Sequence, residues 1–129
     1  MLNVLIPCYM AEKYLHSLLD SLLRQTYRDF VIYISDDAST DRSWEIIESY
    51  ADKFKQVGIG YIRCRNYINL NFQRNAKDLL GLLDKGYSPR PYTCLIESDD
   101  YALPDRFETQ IKFLEENPDY GAVHSDIQM

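Results

Sequence analysis

Short apolar runs and helical-period segments alternate along this chain almost without interruption, and that alternation confines it to one class of fold. Leu2–Ile6 is an apolar run broken only by Asn3 and halted by Pro7, and between Glu12 and Gln25 the residues Leu15, Leu18, Leu19, Leu22 and Leu23 recur at helical spacing. Phe30–Ile34 is a second apolar run. Ser39 or Thr40 can then cap a helix with the stripe Ile46, Ile47, Tyr50 and Phe54. Gly58–Arg63 is a weaker strand, and Asn69 or Asn71 precedes a helix carrying Phe72, Ala76, Leu79, Leu80 and Leu83 that closes near Gly86. Tyr92–Ile96 is a fourth strand. Pro104 suits the first turn of a helix bearing Phe107, Ile111 and Leu114, and Asn117-Pro118-Asp119 ends that helix before a last strand, Tyr120–His124. Strands that are apolar throughout are buried on both faces. The order therefore predicts an α/β fold: a mainly parallel sheet with helices on both faces.

Length and charge remove several functional classes. The 129 residues suffice for one domain with a real core. A net charge of −6 disfavours a nucleic-acid surface, which needs clustered Lys and Arg. No apolar run reaches the ~20 residues that span a bilayer, and Met1–Ile6 reads as a strand, not as a leader. Cys8, Cys64 and Cys94 are odd in number and lack CxxC spacing, so buried thiols in a reducing cytoplasm are expected. The chain ends at Met129 with no closing helix after the last expected strand, which reads as a cut.

In an open α/β sheet, ligands bind outside the carboxyl ends of the strands. There the polar residues of this sequence gather: Pro7 through Glu12, Ser35-Asp36-Asp37-Ala38-Ser39-Thr40-Asp41, Arg63 through Asn75, and Glu97-Ser98-Asp99-Asp100. The last group puts three carboxylates at one strand tip. Like charges so placed repel one another unless a cation sits among them, and oxygen-only ligands suit Mg²⁺ or Mn²⁺, which share their remaining positions with water and phosphates. Simpler readings exist for some residues: Asp36-Asp37 as a turn with a helix cap, Glu12 as a first-turn charge, Arg74 as a solvated helix residue. His16 and His124 have no ligand-spaced partner and are read as structural.

Together, Val4-Leu5-Ile6-Pro7-Cys8-Tyr9, Leu23-Arg24-Gln25-Thr26-Tyr27, Asp36 through Asp41, Asn69 through Asn75, and Glu97 through Pro104 resemble, in this order, the family 2 glycosyltransferases of the GT-A fold. The resemblance spans nearly all of residues 1–129 and implies a Rossmann-like nucleotide-sugar-binding part. It implies that Pro7, Tyr9 and Glu12 line a nucleotide pocket, that Asp37 contacts the base with Asp36 nearby, and that Arg74 lies near the base or phosphates. Asp99 would bind the metal as the last acid of a DxD-type motif, beside Ser98. Glu97 stands where the family usually has Asp, Met10 where it often has Asn, and Asn71 where it often has Gly. The implied activity is metal-dependent transfer of a sugar from a nucleotide-diphospho-sugar, a UDP-sugar foremost, to an acceptor hydroxyl in polysaccharide synthesis, with inversion. The implied partners are that donor and a glycan or lipid-linked acceptor, reached in the cytoplasm or at the inner face of the membrane by peripheral association. The acceptor-binding part and the general base are expected beyond Met129, so residues 1–129 alone are expected to be inactive. Two alternatives use the same residues: a non-catalytic nucleotide-binding or scaffold domain, and a receiver-like phosphotransfer domain.

Overall fold

The computed structural model describes residues 1–83 and 91–124. The elements run β1 (Leu2–Cys8), α1 (Leu15–Leu23), β2 (Phe30–Asp36), α2 (Ser43–Ser49), α3 (Ala51–Gln56), β3 (Gly60–Arg65), α4 (Phe72–Leu82), β4 (Tyr92–Leu95) and α5 (Arg106–Glu116). The four strands form one parallel sheet in the order β3-β2-β1-β4, the α/β class expected from the alternation. Leu2 pairs with both Phe30 and Tyr92, and Cys8, Asp36 and Arg65 end level with one another. Because the order reverses beside β1, the crevice between the ends of β1 and β4 is the switch point of the sheet.

Side-chain alternation along β1 and β2 divides the core between two faces. Val4, Ile6, Cys8, Ile32 and Ile34 pack with Leu15, Leu18, Leu19 and Leu22 of α1, with Ile47 and Phe54, and with Phe107 and Ile111 of α5. Leu5 and Tyr33 point the other way, onto Leu79 of α4. Each fully buried Leu or Ile contributes ~1.5–3 kcal/mol of burial free energy.

Three local expectations change. Neither Ser39 nor Thr40 caps the second helix. The Asp41 carboxylate instead accepts from Ser43 N at 2.9 Å, and Ser39 Oγ accepts from Met10 N at 2.9 Å. That helix is also broken in two at Tyr50, whose hydroxyl donates to Asp20 Oδ1 at 2.7 Å and so ties the joint to α1. The expected strand Tyr120–His124 does not form. Tyr120 N donates to Asn117 O in a turn set by Asn117-Pro118, and its ring meets Phe113 edge-on at 5.4 Å. Gly121 and Ala122, weak strand formers, then lie along a groove beside β4 without pairing to it. Asn71, by contrast, is the N-cap of α4 as its position predicts, accepting from Arg74 N at 3.1 Å. The helix end expected near Gly86 lies outside the described residues.

Candidate functional site

At the switch point a cavity of about 290 Å³ opens between the ends of β1, β2 and β4. Its floor is Pro7 through Ala11 with Asp37. One wall is Phe72 and Asn75 from the start of α4, with Tyr14 opposite, and the other is Glu97, Ser98 and Asp99. Of the residues named from the sequence, Pro7, Tyr9, Asp37, Glu97, Ser98 and Asp99 are brought together along this cavity. Glu12, Asp36 and Arg74 are not among the lining residues. Glu12 is exposed and accepts from Arg42 N at 3.2 Å, and Arg74 is exposed on the first turn of α4.

Asp36 and Asp37 have different surroundings because successive residues leaving a strand face opposite sides. Asp36 turns toward the α1–α3 side, where its fully buried Oδ2 accepts from Ser39 N at 3.2 Å and lies 3.5 Å from Arg65 Nε. Arg65 in turn lies over the Trp44 ring. Asp37 turns toward α4 and is 1% exposed. Its Oδ1 accepts from Asn66 Nδ2 at 2.9 Å and from Leu70 N at 2.8 Å, while its buried Oδ2 accepts nothing among the described residues. A buried acceptor kept from water without a donor is costly; Asp36 Oδ1 is in the same state, but only Asp37 lines the cavity. Asn66 Nδ2 also reaches Asn75 Oδ1 at 3.1 Å, and Asn75 Nδ2 donates to Ser35 O at 3.0 Å. The carboxylate is therefore braced back to the sheet.

The acidic loop is held from behind by α1. Gln25, buried at its end, donates to Leu103 O at 2.7 Å and accepts from Phe107 N at 3.2 Å, while Ser21 Oγ accepts from Ala102 N at 3.1 Å. Thr26 N adds a bond to Pro104 O at 2.8 Å. These contacts give Gln25 a physical role: it fixes the chain that leaves Asp99. Glu97 and Asp99 are exposed on the cavity wall. Among the described residues no three His, Cys, Asp or Glu side chains gather to enclose a metal ion. Two carboxylates on one wall of an open cavity do fit a hard divalent ion that shares its coordination with water and phosphate oxygens.

Two titrating groups bear on the site. Burial, reinforced by the charge of Asp36, pushes the Cys8 thiol up to about 12, with the Ser43 and Ser98 hydroxyls offsetting part of the rise. Cys8 is accordingly a packed apolar residue, as expected, and not a nucleophile. For Asp41, burial alone would raise the pKa. The hydrogen bonds from Ser43 and from the amide of Glu12 outweigh it and hold the carboxyl below its usual range.

Three lining residues, Phe72, Tyr14 and Asn75, are not among those the sequence assigns a role in the pocket. Helical spacing assigns Phe72 to the core stripe of its helix, yet it is 46% exposed at the cavity rim, as Tyr9 is at 53%. Its position in the first turn, past the end of the sheet, is the available signal. Tyr14 carries no signal, and Asn75 is only one of several polar residues after β3.

Residues 3–125 match the sequence profile described as Glycosyl transferase family 2. An uncharacterized glycosyltransferase of Haemophilus influenzae is 32% identical over 91% of this chain and 43% of its own length. The Escherichia coli UDP-Glc:alpha-D-GlcNAc-diphosphoundecaprenol beta-1,3-glucosyltransferase WfaP is 30% identical over 89% of this chain and 41% of its own. The chain thus spans less than half the length of these relatives. Among solved structures, Staphylococcus aureus TarS 1–349 in complex with UDP-GlcNAc superposes with a TM-score of 0.77 at 24% identity, over 91% of this chain and 32% of that one. The mannosyltransferase PcManGT from Pyrobaculum calidifontis, in complex with GDP-Man and Mn²⁺, superposes with a TM-score of 0.74 at 18% identity, over 88% and 32%. Both likenesses are likenesses of fold.

Proposed function

The chain belongs to glycosyl transferase family 2, and on that premise we propose that it is the donor-binding part of an enzyme that moves a sugar from a nucleoside diphosphate, a UDP-sugar foremost, to an acceptor hydroxyl. One observation carries the reading. The switch-point cavity has a buried, half-satisfied carboxylate, Asp37, on one side and the Glu97–Asp99 carboxylates on the other. A base with an N–H donor suits the first, and a metal-bound diphosphate suits the second.

In this reading Asp37 accepts from the base, and Tyr9 and Phe72 flank it as apolar faces. Pro7 shapes the floor beneath it, and Glu97 and Ser98 contact the ribose directly or through water. Asp99 is the residue that would hold Mg²⁺ or Mn²⁺, with Glu97 close enough in sequence to assist. When bound, such an ion neutralises the charge that grows on the leaving diphosphate. Arg74, exposed on the first turn of α4, can swing toward the phosphates, and Arg65 is already engaged by Asp36. Glu12 and Asp36 support the loops around the pocket rather than its lining. The acceptor proton must pass to a general base within hydrogen-bond reach, which we place, with the acceptor site, in a part of the protein outside residues 1–129.

WfaP is named for transfer to a diphosphoundecaprenol-linked sugar. A lipid-linked or glycan acceptor at the inner face of the membrane, with inversion at the anomeric carbon, is the matching proposal here. Among the described residues no helix is long and apolar enough to cross a membrane. Family membership displaces the receiver-like alternative. A scaffold domain that binds no nucleotide is separated by calorimetry with UDP and Mn²⁺: binding is expected, weakened ~10-fold or more by Asp37→Ala or Asp99→Asn, in keeping with loss of a charge-assisted contact. Absence of heat, or equal affinity in parent and variants, would refute the assignment.

A further inference from the structure

We propose that Asn66 sets the base preference of the pocket by occupying one oxygen of Asp37, so that the site accepts the single imide N–H of uracil or thymine and disfavours guanine. The inference rests on the donor-binding reading above. An unencumbered carboxylate offers two parallel acceptors, and guanine presents two parallel donors, N1–H and N2–H, that would use both. Uracil and thymine present one donor, N3–H, between two carbonyls.

Here the two oxygens of Asp37 are not equivalent. Both acceptor positions of Oδ1 are filled, by Asn66 Nδ2 at 2.9 Å and by Leu70 N at 2.8 Å. Only Oδ2 remains without a donor among the described residues. Asn66 cannot readily swing away, because the same Nδ2 is shared with Asn75 Oδ1 at 3.1 Å, and Asn75 is buried and bonded to Ser35 O at 3.0 Å. A guanine docked on Oδ2 would leave one of its two donors facing an oxygen with no free lone pair. A desolvated donor so stranded costs enough to produce discrimination of about ten-fold or more. A one-donor base loses nothing. Asn66 thus acts through Asp37 and is a positioning residue that determines specificity without touching the ligand.

The test is calorimetric titration of the full chain with UDP and with GDP, each with Mn²⁺, for the parent, Asn66→Ala and Asp37→Ala. The parent is expected to bind UDP about ten-fold or more tightly than GDP. Asn66→Ala frees one acceptor position on Oδ1 and is expected to narrow the UDP:GDP ratio several-fold, chiefly by improving GDP. Asp37→Ala is expected to weaken UDP and abolish the preference. Binding of GDP by the parent as tightly as UDP overturns the inference while leaving the donor-binding reading intact. An Asn66→Ala variant that shifts both nucleotides equally overturns it as well. Failure of the parent to bind either nucleotide overturns the underlying reading and the inference with it. If Asn66→Ala does not fold, Asn66→Val, which also lacks the amide donor, takes its place with the same narrowing expected, and equal binding of GDP and UDP by the parent still overturns the inference.

Discussion

Replacing Asn71 with glycine should stabilise this protein, whereas replacing it with alanine should destabilise it. Asn71 has φ 70° and ψ 165°, a backbone region that is close to glycine-only because a Cβ collides with the neighbouring peptides. Holding a side-chain-bearing residue there costs ~1–3 kcal/mol. Asn71 recovers part of that by capping α4, accepting from Arg74 N at 3.1 Å, and by donating its own N–H to Asn69 Oδ1 at 3.0 Å. Glycine relieves the strain, forfeits only a few tenths of a kcal/mol as a cap, and adds ~0.5–1 kcal/mol of chain entropy to the unfolded state. The net expectation is a gain of ~1 kcal/mol, or a rise in Tm of ~3–4 °C for a chain of this size. Alanine keeps the Cβ and loses the cap, so it should cost ~1–2 kcal/mol. Urea unfolding followed by circular dichroism measures both, with unchanged m-values certifying that stability alone has moved. If the midpoint of the Asn71→Gly variant fell as far as that of Asn71→Ala, the cap and not the strain would govern this position, and the reasoning would be refuted.

Gln25 joins α1 to the acidic loop through bonds to Leu103 O and Phe107 N in a buried setting. Gln25→Leu should therefore cost ~2–4 kcal/mol by stranding both partners and should weaken Mn²⁺-dependent UDP binding more than binding of uridine alone, as read by thermal unfolding and calorimetry. Cys8, with its thiol pushed up to about 12 by burial and by Asp36, carries almost no thiolate near neutral pH. Iodoacetamide should modify it in the folded protein only at the rate of opening, and in urea at the rate of a free thiol; mass spectrometry of the Cys8 peptide showing fast labelling of the folded protein would contradict the burial.

The strands and the sheet were legible because short, mostly apolar runs such as Leu2–Ile6 and Phe30–Ile34, alternating with segments of helical period, suit the doubly covered strands of a parallel sheet. The site was legible to the extent that the ends of such strands converge, which gathered Tyr9, Asp37 and Asp99 from distant sequence positions. The division of labour between Asp36 and Asp37 was also present in the sequence, as parity: Tyr33 and Asp37 share the α4 face, whereas Ile34 and Asp36 share the other. What could not be read was any feature decided by long-range hydrogen bonds. Ser39 has the composition of a helix cap, but Met10 N lies within 2.9 Å of it and takes the oxygen instead. Tyr120–His124 has the composition of a strand, but a turn at Asn117 and a ring contact with Phe113 draw its first residue away from β4.

The backbone outliers make the same point about function from a different direction. The described non-glycine residues with positive φ are Met10, Ala38 and Asn71. All three border one cavity: Met10 lines it, Ala38 follows Asp37, and Asn71 begins the helix that brings in Phe72 and Asn75. Each is held by bonds from another segment or within its own turn, Met10 N to Ser39 Oγ, Ser39 N to Asp36 Oδ2, and Arg74 N to Asn71 Oδ1. Strained residues persist only where their surroundings over-determine them, and they concentrate where a well-defined orientation is worth more than stability. Here the orientation gained is that of Asp37, whose placement requires the β2 tip to turn at Ala38 and α4 to start at Asn71. Relaxing Asn71 to glycine should leave that start in place. Loosening the β2 turn should move the carboxylate itself, so stability and ligand affinity are set by different members of one strained set.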